Sequence, residues 1–168
     1  MAVWRVIRGA GEGGDDLEPV DGPANMAIDH ALLESVTAGG PPALRLYRWD
    51  PPTLSFGRNQ PARGLYDDAA ARARGIDFVR RPTGGQAVLH DDELTYAVVA
   101  PIGVLGRPRT AYRRINEALV RGLRELGLAA SLAPPLRRHG RIRGGGEADG
   151  LSELTVGRAP APPVAVSY

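Results

Sequence analysis

The chain has no cysteine, no lysine, few aromatic residues and no long apolar run, and each absence narrows what it can be. Without cysteine there is no disulfide, no thiolate metal site and no cysteine nucleophile, and the redox compartment leaves no trace in the sequence. Without lysine, all 21 basic residues are arginine; a GC-rich genome explains this usage, although arginine's permanent charge and rigid donor fork also suit anionic ligands. The formal net charge is only +2 and aromatics make up 5%, so neither a clustered basic face nor a stacking platform is in evidence, which argues against nucleic acid as a partner. The N-terminal run Ala2-Val3-Trp4-Arg5-Val6-Ile7 is too short and too interrupted for a signal sequence, and nothing approaches membrane-spanning length; a cytoplasmic protein with no membrane partner is expected. His30, His90 and His139 share no ligand spacing, so no resident metal is expected.

What is present fits one globular domain with a sizeable core: 168 residues, 43% apolar and 24% charged. A first short strand leads into a Gly- and Asp-rich loop over 9–23. Asn25 then caps a helix over 26–37, with Ile28, Leu32, Leu33 and Val36 on its apolar face and Asp29 and His30 on the other, until Gly39-Gly40-Pro41-Pro42 stops it. Alternation from Leu44 to Trp49, the turn residues Asp50-Pro51-Pro52 and the run Thr53 to Phe56 predict a hairpin. Tyr47 and Trp49 on it belong either to the core or to an acyl-chain pocket. Residues 66–74 predict an alanine-rich helix ended by Gly75. Thr110 predicts the N-cap of a further helix whose stripe is Tyr112, Ile115, Leu119, Leu123 and Leu126, with Arg113, Arg114, Arg121 and Arg124 solvated and Gly127 as its stop. A strand over 128–132 follows. The pattern is α+β, with a mixed, mostly antiparallel sheet flanked by helices. From Ala133 the composition turns rich in Pro, Gly and Arg without periodicity, which sets an expected boundary between a domain over 1–132 and an irregular tail over 133–168.

The densest chemistry lies between Arg80 and Tyr96, which reads Arg-Arg-Pro-Thr-Gly-Gly-Gln-Ala-Val-Leu-His-Asp-Asp-Glu-Leu-Thr-Tyr. Ile76, Phe78 and Val79 predict a strand before it, Leu94 to Pro101 a strand after it, and the glycine pair a turn between the two. Free backbone N–H groups of such a turn, beside two guanidinium groups, suit a carboxylate, a phosphate or an acyl carbonyl. A plain hairpin turn with a solvated arginine pair is the competing reading.

The stretch Arg80 to Asp91 resembles the signature of the lipoate-protein ligase and octanoyl/lipoyl transferase family, related to the biotin-protein ligases. Three further segments resemble the family in the same order: Asn25 to Leu33, Leu44 to Ser55, and Gly57-Arg58-Asn59-Gln60. The resemblance covers residues 1–132, and Gln86 in place of a third glycine is closer to the cysteine-dependent octanoyltransferase branch. It implies a biotin/lipoate protein ligase-like fold and transfer of an octanoyl or lipoyl group from a donor, such as an acyl carrier protein, to a lysine of a lipoyl-domain acceptor protein. It implies no permanently bound cofactor, with ATP and Mg²⁺ entering only on the ligase alternative. The substrate-binding residues it implies are Arg80, Thr83, Gly84, Gly85, Gln86, Ala87 and His90. In this expectation Gly84, Gly85 and Ala87 approach the acyl group through their backbone, Arg80 supplies positive charge, and Thr83 and His90 shape or polarise the site. The family's lysine and the transferase branch's nucleophilic cysteine have no counterpart, so the C-terminal part is missing or altered, no catalytic residue is assigned, and impaired turnover is expected. A non-catalytic acyl-group or acceptor-domain binding protein is the alternative.

Overall fold

A computed structural model describes residues 3–9, 17–62 and 64–132, with the backbone of residues 154–157 and 164–166. The chain divides into two units, Met1–Pro101 and Ile102–Tyr168.

The first unit carries β1 (Arg5–Arg8), α1 (Gly22–Thr37), β2 (Ala43–Tyr47), β3 (Thr53–Phe56), α2 (Asp68–Arg72), β4 (Asp77–Arg80), β5 (Val88–His90) and β6 (Thr95–Val99). They form two three-stranded sheets, ordered β1-β2-β6 and β4-β3-β5. Each sheet is mixed: β1 runs parallel and β6 antiparallel to β2, while β4 runs parallel and β5 antiparallel to β3. The α+β class is as expected, but the hairpin is not. Both edges of β2 are taken by β1 and β6, so no edge is left for β3, and the Asp50-Pro51-Pro52 segment carries the chain from one sheet to the other.

Helix α1 starts earlier than Asn25. Gly22-Pro23 opens it, and the Asp21 carboxylate accepts from the Ala24 N–H at 2.7 Å, the usual work of an acidic N-cap. Asn25 is instead buried, its amide donating to the carbonyls of Val20 (3.1 Å) and Arg48 (3.0 Å), so it ties the loop before α1 to the end of β2. The helix buries Leu32 and Val36 as the spacing predicts, with Ile28 half-buried against the core; Met26 is buried as well, but Leu33 is 43% exposed. Asp29, expected outside, faces inward: it lies three and seven residues before Leu32 and Val36 on the same side of the helix, and a buried arginine of β2 pairs with it there. His30 stays outside beside Glu34. Ile7, Leu32 and Ala43 make one core cluster; Met26, Tyr47 and Trp49 make a second, against Val79 and Ala97. Tyr47 and Trp49 thus serve the core. The alanine-rich helix is only five residues long, capped by the Asp67 side chain.

The second unit carries α3 (Ile102–Leu105), α4 (Pro108–Glu125), β7 (Ala129–Leu132), β8 (Leu154–Gly157) and β9 (Val164–Val166), the strands forming an antiparallel sheet ordered β7-β8-β9. Helix α4 begins two residues before Thr110, because Pro108 presets the first turn; Arg107 occupies the cap position without a side-chain cap bond. Val120 and Ala130 are buried, with Leu119, Leu123 and Leu132 against them. The expected arginines are exposed, and so is Leu126, at 78%, where the helix ends. Strands β8 and β9 fall in the stretch expected to be irregular; the rest of 133–168 lies outside the described residues.

Candidate functional site: a glycine loop backed by a hydrogen-bonded relay

Strands β4 and β5 flank β3 on opposite sides, so the segment 81–87 between them must cross the end of β3. The glycine pair therefore sits in a crossover and not in a hairpin turn, and the strand that follows it is β5, which the sequence reading passed over. Arg81 N–H donates to the Phe56 carbonyl and Arg58 N–H to the Thr83 carbonyl, both at 2.8 Å, and these bonds clamp the crossover to the chain leaving β3. The approach is so close that a Cβ on Gly57 would collide with the Gly85 carbonyl oxygen. Gly85 itself has φ +103, which a side chain would strain.

The loop's acceptors are thereby turned inward. Thr83 O meets Arg58, Gly84 O (3.3 Å) and Gln86 O (2.7 Å) accept from Arg81 Nη2, and Gly85 O lies against Gly57. Its donors are not. Among the described residues, the backbone N–H groups of Thr83, Gly84, Gly85 and Gln86 have no partner, and all four residues are exposed. Consecutive solvated N–H groups with the carbonyls held behind them form a donor surface for an anion or a polarised carbonyl oxygen.

The two arginines do different work. Arg80 Nη1 donates to the carbonyls of Gly57 (2.7 Å), Arg58 (3.3 Å) and Gln60 (2.8 Å), holding the Gly57–Gln60 segment in place. Arg81 Nη1 donates to Ser55 O (2.8 Å) and Ser55 Oγ (2.6 Å). Ser55 Oγ is also 2.6 Å from His90 Nε2, His90 Nδ1 is 2.6 Å from Glu93 Oε1, and Thr95 Oγ1 donates to the same oxygen at 2.6 Å. Trp49 Nε1 donates to Thr95 Oγ1 (2.7 Å), and the Trp49 ring stacks on His90 with centroids 4.0 Å apart and 10° between planes. Register brings these groups together: Thr53 pairs with His90 and Ser55 with Val88, so Ser55 and His90 share one face of their sheet. Burial pushes the Glu93 carboxyl up, but the hydrogen bonds from His90 and Thr95 outweigh it and hold the carboxyl below its ordinary range. Burial lowers the Arg81 guanidinium from its ordinary value.

A second polar network lies under α1. Fully buried Arg45 donates through Nε to Gly9 O (3.0 Å), through Nη1 to Asn25 O (3.0 Å) and Asp29 Oδ1 (2.9 Å), and through Nη2 to Asn25 Oδ1 (2.7 Å). Its guanidinium lies 4.0 Å from the Tyr47 ring centroid, and the Tyr47 hydroxyl donates to Asp29 Oδ2 (3.1 Å). Burial, then the Asp29 charge, raises the Tyr47 hydroxyl well above the usual tyrosine range. In the second unit, Glu117, Val120, Arg121, Arg124 and Leu132 line a shallow cleft without any of these groups. Among the described residues no cluster of three metal-ligating side chains occurs, and no helix is long and apolar enough to cross a membrane.

The glycine crossover and the segments before it carry a family pattern. Residues 21–150 match the lipoyl protein ligase A/B catalytic domain. The chain belongs to that family. It is 48% identical over 139 residues to octanoyltransferase LipM of Kyrpidia tusciae, the match covering 80% of this chain and 48% of that protein. It is 48% identical over 136 residues to octanoyltransferase LipM of Moorella thermoacetica, covering 78% and 46%. The chain thus spans about half the length of the curated relatives it matches. Among solved structures, lipoate-protein ligase A bound with ATP superposes with a TM-score of 0.63 at 29% identity, covering 92% of this chain and 61% of that one. The bi-partite lipoate protein ligase of Thermoplasma acidophilum, studied with its E2 lipoyl domain, superposes at 0.62 with 26% identity, covering 99% and 55%.

Of the residues singled out in the sequence, Thr83, Gly84, Gly85 and Gln86 lie exposed on the crossover, with Ala87 half-buried at its end. Arg80 stands beside the crossover with its Nη1 on carbonyls of 57–60, and His90 is buried behind it, 6% exposed. Sequence reasoning missed Ser55, Glu93 and Thr95. The His90–Glu93 spacing was visible, but nothing in the linear order tied Ser55 to either, because that contact exists only through the β3–β5 register.

Proposed function

We propose that this chain binds the acyl group of an octanoyl or lipoyl donor at the Thr83–Ala87 crossover and belongs to the machinery that moves it to a lysine of a lipoyl-domain protein. The observation that carries this is the row of exposed N–H groups over 83–86 that have no partner among the described residues, with every carbonyl of the same stretch turned inward. Such a surface accepts an acyl carbonyl or carboxylate oxygen and repels none of its lone pairs. In this reading Gly84, Gly85 and Ala87 meet the ligand by backbone, Thr83 and Gln86 border it, Arg80 adds positive charge, and His90 supports the site from behind. The relatives named octanoyltransferase LipM favour an octanoyl group; in this reading its donor is a thioester on an acyl carrier protein. The lipoate-protein ligase A structure bound with ATP keeps ATP-dependent lipoate transfer as the alternative, in which Mg²⁺ would accompany the nucleotide, and the E2 lipoyl domain studied with another ligase favours a lipoyl-domain acceptor.

The absence of cysteine and lysine favours a second reading for the chain taken alone: acyl binding without turnover. Two measurements separate the readings. Titration of octanoic and lipoic acid into the protein, followed by Trp fluorescence or calorimetry, tests binding; incubation of an octanoyl thioester with a lipoyl domain, followed by mass spectrometry, tests transfer. Gly85→Val, which puts a β-branched residue at φ +103, is expected to abolish binding while the far-UV circular dichroism stays near that of the parent. Undiminished binding by this variant would count against the crossover as the site.

A further inference from the structure

We infer that Ser55, His90 and Glu93 are positioning residues that set the shape of the glycine crossover through Arg81. The donor bookkeeping of the relay leaves little freedom. A guanidinium only donates, so Ser55 Oγ accepts from Arg81 Nη1; the serine proton then points to His90 Nε2, 2.6 Å away, and the only other acceptor near it is Val88 O at 3.4 Å. The serine proton is assigned to the shorter of its two contacts, which makes His90 Nε2 the acceptor and puts the ring proton on Nδ1, facing the Glu93 carboxylate. From the other end, the indole N–H of Trp49 only donates, so Thr95 accepts it and passes its own proton to Glu93. Two obligate donors, Arg81 and Trp49, thus feed one carboxylate acceptor, and with the serine proton on the His90 side each intermediate proton has a place.

The consequence reaches the surface at Arg81. One of its terminal nitrogens is held by Ser55, and the other holds the carbonyls of Gly84 and Gln86. Those two carbonyls face inward because Arg81 is held, and their inward turn is what leaves the neighbouring N–H groups outward. Ser55 has no exposed surface and carries a guanidinium on one side and an imidazole on the other, so its geometry serves orientation and not attack on an acyl carbon. The inference rests on the acyl-binding reading for its ligand, while the relay itself can be tested without one.

Glu93 is the residue to change, because it lies at the far end of the relay from the crossover and its side chain is 39% exposed, so truncation leaves no sealed cavity. In the full ¹⁵N-labelled chain, Glu93→Ala is expected to shift the backbone amide resonances of Gly84, Gly85 and Gln86 and to release the His90 ring from its Nδ1–H form. Octanoic acid affinity should fall about tenfold, the scale of one charge-assisted hydrogen bond. Glu93→Gln keeps an acceptor at the same place and should restore most of both signals. A purely local role for Glu93 would leave the crossover amides where they are in the parent, and that result overturns the inference, as does a His90 protonated on Nε2 in the parent. If the parent binds no octanoate, the acyl reading falls while the amide and imidazole resonances still decide the relay. Treating the chain with an octanoyl thioester gives one more check: an octanoyl ester on Ser55 would make it a nucleophile and overturn the positioning role.

Discussion

Two buried polar networks in the first unit, each built on one arginine, end in different places. The Arg45 network is closed: its guanidinium meets Gly9 O, Asn25 O, Asn25 Oδ1 and Asp29, and Asp29 in turn is met by Tyr47. The Arg81 network is open, running from the core through Ser55, His90 and Glu93 on one side and out to an exposed crossover on the other. A closed network returns its hydrogen-bonding capacity to the fold, fixing α1 against β2. An open one delivers order to a surface whose own donors remain available.

The comparison is broken most forcefully at Arg45. Arg45→Ala leaves Asp29 buried without its cation and should destabilise the fold by about 3–5 kcal/mol, measured by urea unfolding. The double variant with Asp29→Ala should cost less than the sum of the two singles; strict additivity would show that the network is not closed. Next in size is Gly57→Ala, whose Cβ meets the Gly85 carbonyl: a loss of about 1–3 kcal/mol is expected together with displaced crossover amides, and unchanged amide resonances would contradict the close approach.

A pH experiment sharpens the open network. The folded Glu93 carboxyl titrates below its reference value of 4.5, so its contribution to stability is present above that value and is lost as pH falls through the folded one. Glu93→Gln should flatten this acid limb of the stability curve, read as thermal midpoints from pH 6 down to about 3. An acid limb identical in parent and variant would deny the His90–Glu93 bond. The smallest effect belongs outside both networks: His30→Ala removes only an exposed contact with Glu34 and should change stability by less than about 0.5 kcal/mol. A larger loss would mean that polar contacts on the outer face of α1 count as much as those beneath it.

Much of the site was legible because local rules govern it. Gly84-Gly85 after Arg80-Arg81 marks a backbone that must approach something closely, and Gly85 does take a positive φ. The resemblance put the expected substrate-binding residues on the stretch that carries the exposed N–H groups. The role of Asp29 was misread: three residues before Leu32 and seven before Val36, it shares their inner face of α1, and what the sequence did not show is that Arg45 arrives from β2 to meet a carboxylate there. The hairpin expectation failed for a related reason. Turn residues at 50–52 state that the chain bends there, but they do not say whether the strands on either side face each other.

By itself the sequence determined the α+β class, α1 and α4, the core role of Leu32 and Val36, a glycine-bearing connection after the strand at 76–79 and the family, because these depend on residue type, period and short spacings. The tertiary structure decided which strand lies beside which, and with that the two polar networks. Ser55 and His90 stand 35 residues apart and meet at 2.6 Å only because β5 pairs antiparallel to β3 in one register. A shift of one residue would turn them to opposite faces of the sheet, since side chains alternate along a strand, and no local pattern in the sequence fixes that choice.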